Sequence, residues 1–336
     1  MKRGISIAGT MTVDYYKVVE EYPKKGMLSY IKKVSRSVGG CVPNTIINLA
    51  KIDKALPLYA IGGIGEDENG EYLLKALEEY NIATSGIVKY PHMATAFTDA
   101  MMEEKSRERT FFFSRGVSDG FSYEDIDIAS IKGDIFHLGY AFLMAPFDRE
   151  DNEFGTVMAK LLKEVQGRGI KTSIDLVSVD NTRYSELVSY SLKYCNYFIV
   201  NEIEAGKTAG IEPFNENGEI DKDKIRIISK RIIDLGVKDL VVIHSPQGAW
   251  ALDSKGSFYE AEALCLPKGY IKGSVGAGDA FCAGMLYSIY KELPVQDGLK
   301  LACAAAAASL GEEDSISGMV SYEELVDGDR HMSYEL

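Results

Sequence analysis

The sequence predicts an α/β protein: a doubly wound, mainly parallel sheet flanked by helices, with a small second β-sheet projecting from it. Three observations carry this expectation. Short buried-type runs alternate with stretches of helical length, as strand 135–138, helix 154–168, strand 172–175, helix 184–192 and strand 197–200, the pattern of parallel strands joined by crossover helices. Residues 94–118 break that alternation with two extended stretches, 96–102 and 109–114, around a polar turn, which is a hairpin signal. The chain has 336 residues, long for one domain and short for three, so one large body with an excursion is expected. The body is assigned to 1–11, 38–93 and 119–336, and the small sheet to 12–37 and 94–118.

Composition narrows the partners. The hydrophobic share is 46% and the net charge −13, enough apolar mass for a sizeable core and the wrong sign for nucleic acid or an anionic membrane surface. Five cysteines are scattered without metal-ligand spacing or a disulfide framework, which fits a reduced, cytoplasmic compartment. The start reads as a short strand instead of a signal peptide, and no apolar run reaches membrane-spanning length.

In chain order, the first apolar run, 5–9, is a strand, and Asp14 lies just past its carboxyl end. Ligands collect there in open α/β sheets, so Asp14 either binds a hydroxyl or serves as an ordinary turn residue. Residues 27–38 are extended and lead into Gly39 and Gly40, which permit a sharp turn. Pro43 then suits the first turn of a helix that also carries Asn44. The glycine-rich stretch 62–70 follows a strand, but a dinucleotide fingerprint would need glycine at 68, where Glu68 stands among further acids. In the hairpin, Phe111 and Phe113 share one face and Phe112 and Ser114 the other; Arg109 and Arg115 are either solvated charges or ligands for an anionic or polyhydroxyl molecule.

Further on, Asp175 again ends a strand, and the strand to 200 runs into Asn201 and Glu204. These two can face one side of a starting helix as oxygen ligands for magnesium, directly or through water, or form a capping box. His244 near the end of strand 240–243 reads as structural. The stretch 273–284, Gly-Ser-Val-Gly-Ala-Gly-Asp-Ala-Phe-Cys-Ala-Gly, organises the rest. Gly276, Ala277 and Gly278 leave backbone N–H groups uncovered at the start of a helix, a natural cradle for phosphate or developing negative charge. Asp279 in its first turn is either a general base or a favourable dipole partner.

Gly276-Ala277-Gly278-Asp279 resembles the anion-hole and base signature of the ribokinase-like (PfkB) carbohydrate kinases, and Gly39-Gly40 with Asn44 resembles that family's N-terminal signature. The resemblance spans nearly the whole chain. It implies a ribokinase-like fold in which the small sheet is a lid, and an ATP- and Mg2+-dependent transfer of the γ-phosphate to a hydroxyl of a small sugar. Asp279 would be the base and Gly276, Ala277 and Gly278 the anion hole. Asp14, Gly39, Gly40 and Asn44 would hold the substrate beside Asp279. Asn201 and Glu204 would organise magnesium, with Ser245, Gly248, Ser274, Gly276, Gly278 and Cys303 along the nucleotide. A nucleoside kinase of the same fold is the alternative, and a catalytically inactive ligand-binding relative a third reading; a homodimer through the lid is a further expectation. One departure stands out: where the family signature opens with an Asp that helps hold a monovalent cation, this chain has Gly273.

Overall fold

The first strand, β1 (Ile5–Gly9), has no polar alternation and is buried along its whole length, as a strand covered on both faces must be. In the computed structural model, which describes residues 3–106, 108–178 and 183–328, β1 lies within a nine-stranded sheet. The chain continues through β2 (Thr12–Val19), β3 (Ile31–Gly39), α1 (Cys41–Ile52), β4 (Leu58–Gly65), α2 (Glu68–Glu79), β5 (Ala83–Tyr90), β6 (Ala96–Glu103), β7 (Arg109–Ser114) and β8 (Ile135–Ala141). Next come β9 (Glu150–Asp151), β10 (Gly155–Thr156), α3 (Val157–Gly167), β11 (Lys171–Leu176), α4 (Tyr184–Leu192), β12 (Tyr197–Asn201), α5 (Glu202–Ala209) and α6 (Lys222–Leu235). The remainder is β13 (Leu240–Ser245), β14 (Gly248–Asp253), β15 (Phe258–Glu262), α7 (Ala277–Lys291), α8 (Val295–Ser309) and α9 (Tyr322–Gly328).

The large sheet has the order β15-β14-β13-β12-β11-β8-β1-β4-β5. Strands β5 to β13 in that order pair in parallel, and β14 and β15 close one edge antiparallel. One apolar layer joins α1 and α2 to α7 and α8, including Ile46, Leu49, Leu73, Phe281 and Leu286. The other joins α3 to α6, including Leu161, Leu162, Val188 and Ile228. Helices on both faces make the sheet doubly wound. The chain first builds outward from β1 through β4 and β5, then reverses through β8 and β11. The switch lies at β1 and β8, where a crevice opens beyond the strand ends.

The second sheet has the order β3-β2-β6-β7. Its central pair, β2 and β6, is parallel over Thr12–Val19 and Ala96–Glu103, and the outer pairs are antiparallel. Asp67 ties this sheet to the body: it caps α2 by accepting from the Gly70 N–H at 2.8 Å, and it also accepts from the Thr95 backbone N–H at 2.8 Å and hydroxyl at 2.6 Å. The helix expected over 154–168 starts later, at Val157. Residues 150–156 instead form the short β9–β10 hairpin, and the Thr156 hydroxyl caps the helix by accepting from the Ala159 N–H at 3.1 Å.

Candidate active site

Three segments converge beyond the switch point. Asp14 enters from β2, Asn44 from the first turn of α1, and Asp279 from the first turn of α7. Asp14 is buried, and burial raises its carboxyl to about 6 against the hydrogen bonds of Thr98 and Thr12. Gly39 makes its placement possible: a Cβ there would lie 2.3 Å from Oδ2 of Asp14. Gly40 caps α1 and directs Asn44 inward. Asn44 donates from Nδ2 to Oδ2 of Asp279 at 2.8 Å, while its own buried Oδ1 has no hydrogen-bond partner among the described residues.

Asp279 is 3% exposed, so its charge is desolvated. Burial first, then the nearby Asp175 charge, lifts its carboxyl to about 8, and the hydrogen bonds from Asn44 and Tyr140 pull the other way. The backbone before it turns at Gly276, whose φ is +79° and whose Cβ would fall 2.3 Å from Cβ of Ser315, so glycine is required there on both counts. From this turn α7 begins at Ala277, which aims the first N–H groups of the helix out of its end.

Behind Asp279 runs a polar chain whose members are too far apart in sequence for spacing to connect them. Tyr140, near the end of β8, donates its hydroxyl to Oδ2 of Asp279 at 2.8 Å and its backbone N–H to Oδ1 of Asp175 at 2.5 Å. His137 Nε2 stands 3.4 Å from Oδ2 of Asp175 and 3.7 Å from Sγ of Cys282, and its Nδ1 is 3.0 Å from the Ser173 hydroxyl. Tyr140 has a φ of +55°, uncommon for a bulky side chain. Tyr140 follows the expected strand 135–138 by two residues, a position that does not by itself single it out.

Asn201 and Glu204 form a reciprocal capping box at the start of α5: Oδ1 of Asn201 accepts from the Glu204 N–H at 2.8 Å, and Oε2 of Glu204 from the Asn201 N–H at 3.1 Å. Ser178 joins them, 2.9 Å from Oε1 of Glu204 and 3.2 Å from Nδ2 of Asn201. Burial raises the Glu204 carboxyl to about 7. Its hydrogen bonds come from neutral groups, so the site is a buried carboxylate without a compensating cation among those partners. The donor set is therefore suited to a hard divalent ion held through water.

Ser245 and Gly248 face each other across the β13–β14 turn, with the Gln247 N–H donating to the Ser245 hydroxyl at 3.0 Å. His244 stacks 4.7 Å from the Phe281 ring, and burial lowers it to about 4, leaving a neutral structural imidazole. Ser274 is exposed beside the turn, and Cys303 is buried on α8 in the layer shared with α7. At Gly273 a Cβ would approach the Glu312 and Glu313 carbonyls at 3.0 and 3.1 Å and Nη2 of Arg109 at 3.2 Å. The departure from the family Asp thus leaves room for the Arg109 guanidinium of β7. Nη1 of Arg109 is buried without a hydrogen-bond partner among the described residues, whereas Arg115 makes an exposed pair with Asp119 at 3.3 Å.

Among the described residues no helix is long and apolar enough to cross a membrane. The sequence model of the pfkB family carbohydrate kinases matches residues 2–321. A 5-dehydro-2-deoxygluconokinase of Clostridium beijerinckii is 24% identical over 96% of this chain and 91% of its own length. A protein of the same name from Halalkalibacterium halodurans is 25% identical over 87% and 85%. Among solved structures, Arabidopsis thaliana ribokinase complexed with ribose and ATP superposes with a TM-score of 0.80, 18% identity and full coverage of both chains. The nucleoside kinase of Methanocaldococcus jannaschii gives 0.75 at 17% identity over 97% of each chain. With the family match covering nearly every residue and the fold agreeing, this chain belongs to the pfkB family of carbohydrate kinases and is a phosphotransferase acting on an alcohol group of a sugar.

Proposed function

We propose that the protein transfers the γ-phosphate of ATP to a primary hydroxyl of a sugar acid related to 5-dehydro-2-deoxygluconate, with Asp279 as the base. The observation that carries the reading is the position of Asp279: a buried carboxylate in the first turn of α7, directly behind the Gly276–Gly278 turn and bonded to Asn44. The acid type of the acceptor is drawn from the names of the relatives from Clostridium beijerinckii and Halalkalibacterium halodurans.

In this mechanism Asp14 accepts hydrogen bonds from acceptor hydroxyls, and the unpartnered Oδ1 of Asn44 accepts another. Asp279 takes the proton of the attacking hydroxyl as its oxygen bonds to phosphorus. The N–H groups of Gly276, Ala277 and Gly278 stabilise the charge on the transferring group. Magnesium, when bound, neutralises phosphate charge. Glu204 and Asn201 would hold it through water, and Ser245, Gly248, Ser274 and Cys303 would line the nucleotide. The β3-β2-β6-β7 sheet closes over the acceptor and excludes water, which would otherwise accept the phosphoryl group. Its exposed apolar side chains, among them Val34, Phe111 and Phe112, support pairing with a second copy, which sedimentation would report as a dimer.

The test is ADP release with magnesium-ATP and a panel of sugar acids, hexoses, pentoses and nucleosides. Turnover with a sugar acid above all others supports the reading. Turnover restricted to nucleosides overturns it, and ATP binding without turnover of any member points to an inactive relative.

A further inference from the structure

The two oxygens of the Asp279 carboxylate are not equivalent. Oδ2 accepts two hydrogen bonds, from Asn44 Nδ2 at 2.8 Å and from the Tyr140 hydroxyl at 2.8 Å. No hydrogen bond to Oδ1 is present among the described residues. Tyr140 is itself fixed at both ends: its hydroxyl is on Asp279, and its backbone N–H is on Asp175 at 2.5 Å. His137 Nε2 lies 3.4 Å from Oδ2 of Asp175, and its other ring nitrogen meets the Ser173 hydroxyl. The backbone at Tyr140 adopts a φ of +55°, a conformation that costs free energy for a residue with a ring and persists where surrounding contacts impose it.

We propose that Tyr140 is a positioning residue for the phosphoryl-transfer reaction: with Asn44 it locks Oδ2 of Asp279, so that Oδ1 alone faces the acceptor and receives its proton. This rests on Asp279 being the base. The consequence is geometric and electrostatic together. Two hydrogen bonds on one oxygen oppose rotation of the carboxylate, so its free oxygen keeps one direction towards the attacking hydroxyl. The phenol also favours the ionised form of its partner, because a donor stabilises a carboxylate more than a carboxylic acid. That contribution opposes the surroundings. Asp279 is faced by the carboxylates of Asp175 from β11 and Asp14 from β2, whose charges disfavour another negative charge beside them, and by the thiols of Cys41 from α1 and Cys282 from its own helix, which burial keeps protonated and neutral. Asn44 and Tyr140 are the groups whose hydrogen bonds favour the charge on Asp279.

The experiment is the pH profile of kcat/KM for Tyr140→Phe, with wild type and Asp279→Asn beside it and acceptor KM measured separately. Removing the hydroxyl shifts the acid limb of the profile upward by about one pH unit and lowers kcat at pH 7 about tenfold. Acceptor KM stays within about twofold, since the phenol contacts the base and not the acceptor. Because loss of a buried phenol can also loosen the fold, the second arm installs 3,5-difluorotyrosine at position 140, a more acidic and hence stronger donor, which moves the same limb downward. Opposite shifts in the two variants support the inference; a packing role moves neither. An unchanged limb in Tyr140→Phe, with Asp279→Asn inactive, overturns the Tyr140 role while leaving the base in place. Full activity in Asp279→Asn overturns the base assignment and this inference with it.

Discussion

Adding one methyl group at Gly39 tests how the acceptor end of the site is built. The Gly39→Ala Cβ would lie 2.3 Å from Oδ2, 2.4 Å from Oδ1 and 2.4 Å from Cγ of Asp14, well inside any real contact, so either β3 or the carboxylate moves. Gly39 has an ordinary φ and alanine suits its backbone, which confines the effect to this collision. Overpacking of a buried site costs about 1–3 kcal/mol, and displacing Asp14 removes a charge-assisted hydrogen bond to an acceptor hydroxyl, about 1.5–3 kcal/mol. At about 1.4 kcal/mol per factor of ten, the acceptor KM should rise roughly 10- to 100-fold. ATP affinity should not change, because the anion turn and α5 are not touched. Steady-state kinetics with each substrate varied in turn, together with calorimetric binding of ATP, measures both. An acceptor KM within about twofold of wild type, in a protein that melts normally, would refute the role given to Asp14.

Further predictions follow from the buried carboxylates. Asp279 is raised from the ordinary carboxylate range to about 8 in the folded protein, so folding binds its proton more tightly; this favours stability below the unfolded pKa near 4 and is lost as pH rises towards 8. Asp279→Asn, which never ionises, should therefore melt higher than wild type at pH 8, with the gap closing towards pH 4; a melting difference that does not depend on pH would contradict the sign. Glu204→Gln removes the buried charge offered to magnesium, and the magnesium concentration for half-maximal rate should rise about tenfold, with the acid limb of the pH profile unmoved. A limb that moved with Glu204→Gln would place that carboxylate in proton transfer instead.

Much of this architecture was legible because it depends on local chemistry. The buried β-branched runs such as β1 and β12 announced a sheet covered on both faces, and the polar turn between β6 and β7 announced a hairpin. The turn at Gly276 was legible because only glycine serves a backbone at φ +79° pressed against Ser315. Tyr140 was not, since its role depends on a contact across 139 residues of sequence and on a left-handed φ that no local pattern encodes. The same holds for the His137–Asp175–Ser173 chain, where neighbouring parallel strands β8 and β11 bring together residues 36 to 38 apart in sequence. Asn201 and Glu204 show the opposite case: their capping box was readable from spacing, yet spacing alone could not reveal that Ser178 completes the cluster or that burial raises Glu204 to about 7.

The most direct measurement is the rate of magnesium-ATP-dependent phosphorylation by Asp279→Asn, with acceptor and ATP binding measured on the same protein. Loss of a positioned base should lower kcat by about 10²- to 10⁴-fold while both ligands still bind. A variant that turns over at the wild-type rate would contradict the central claim that Asp279 takes the acceptor proton.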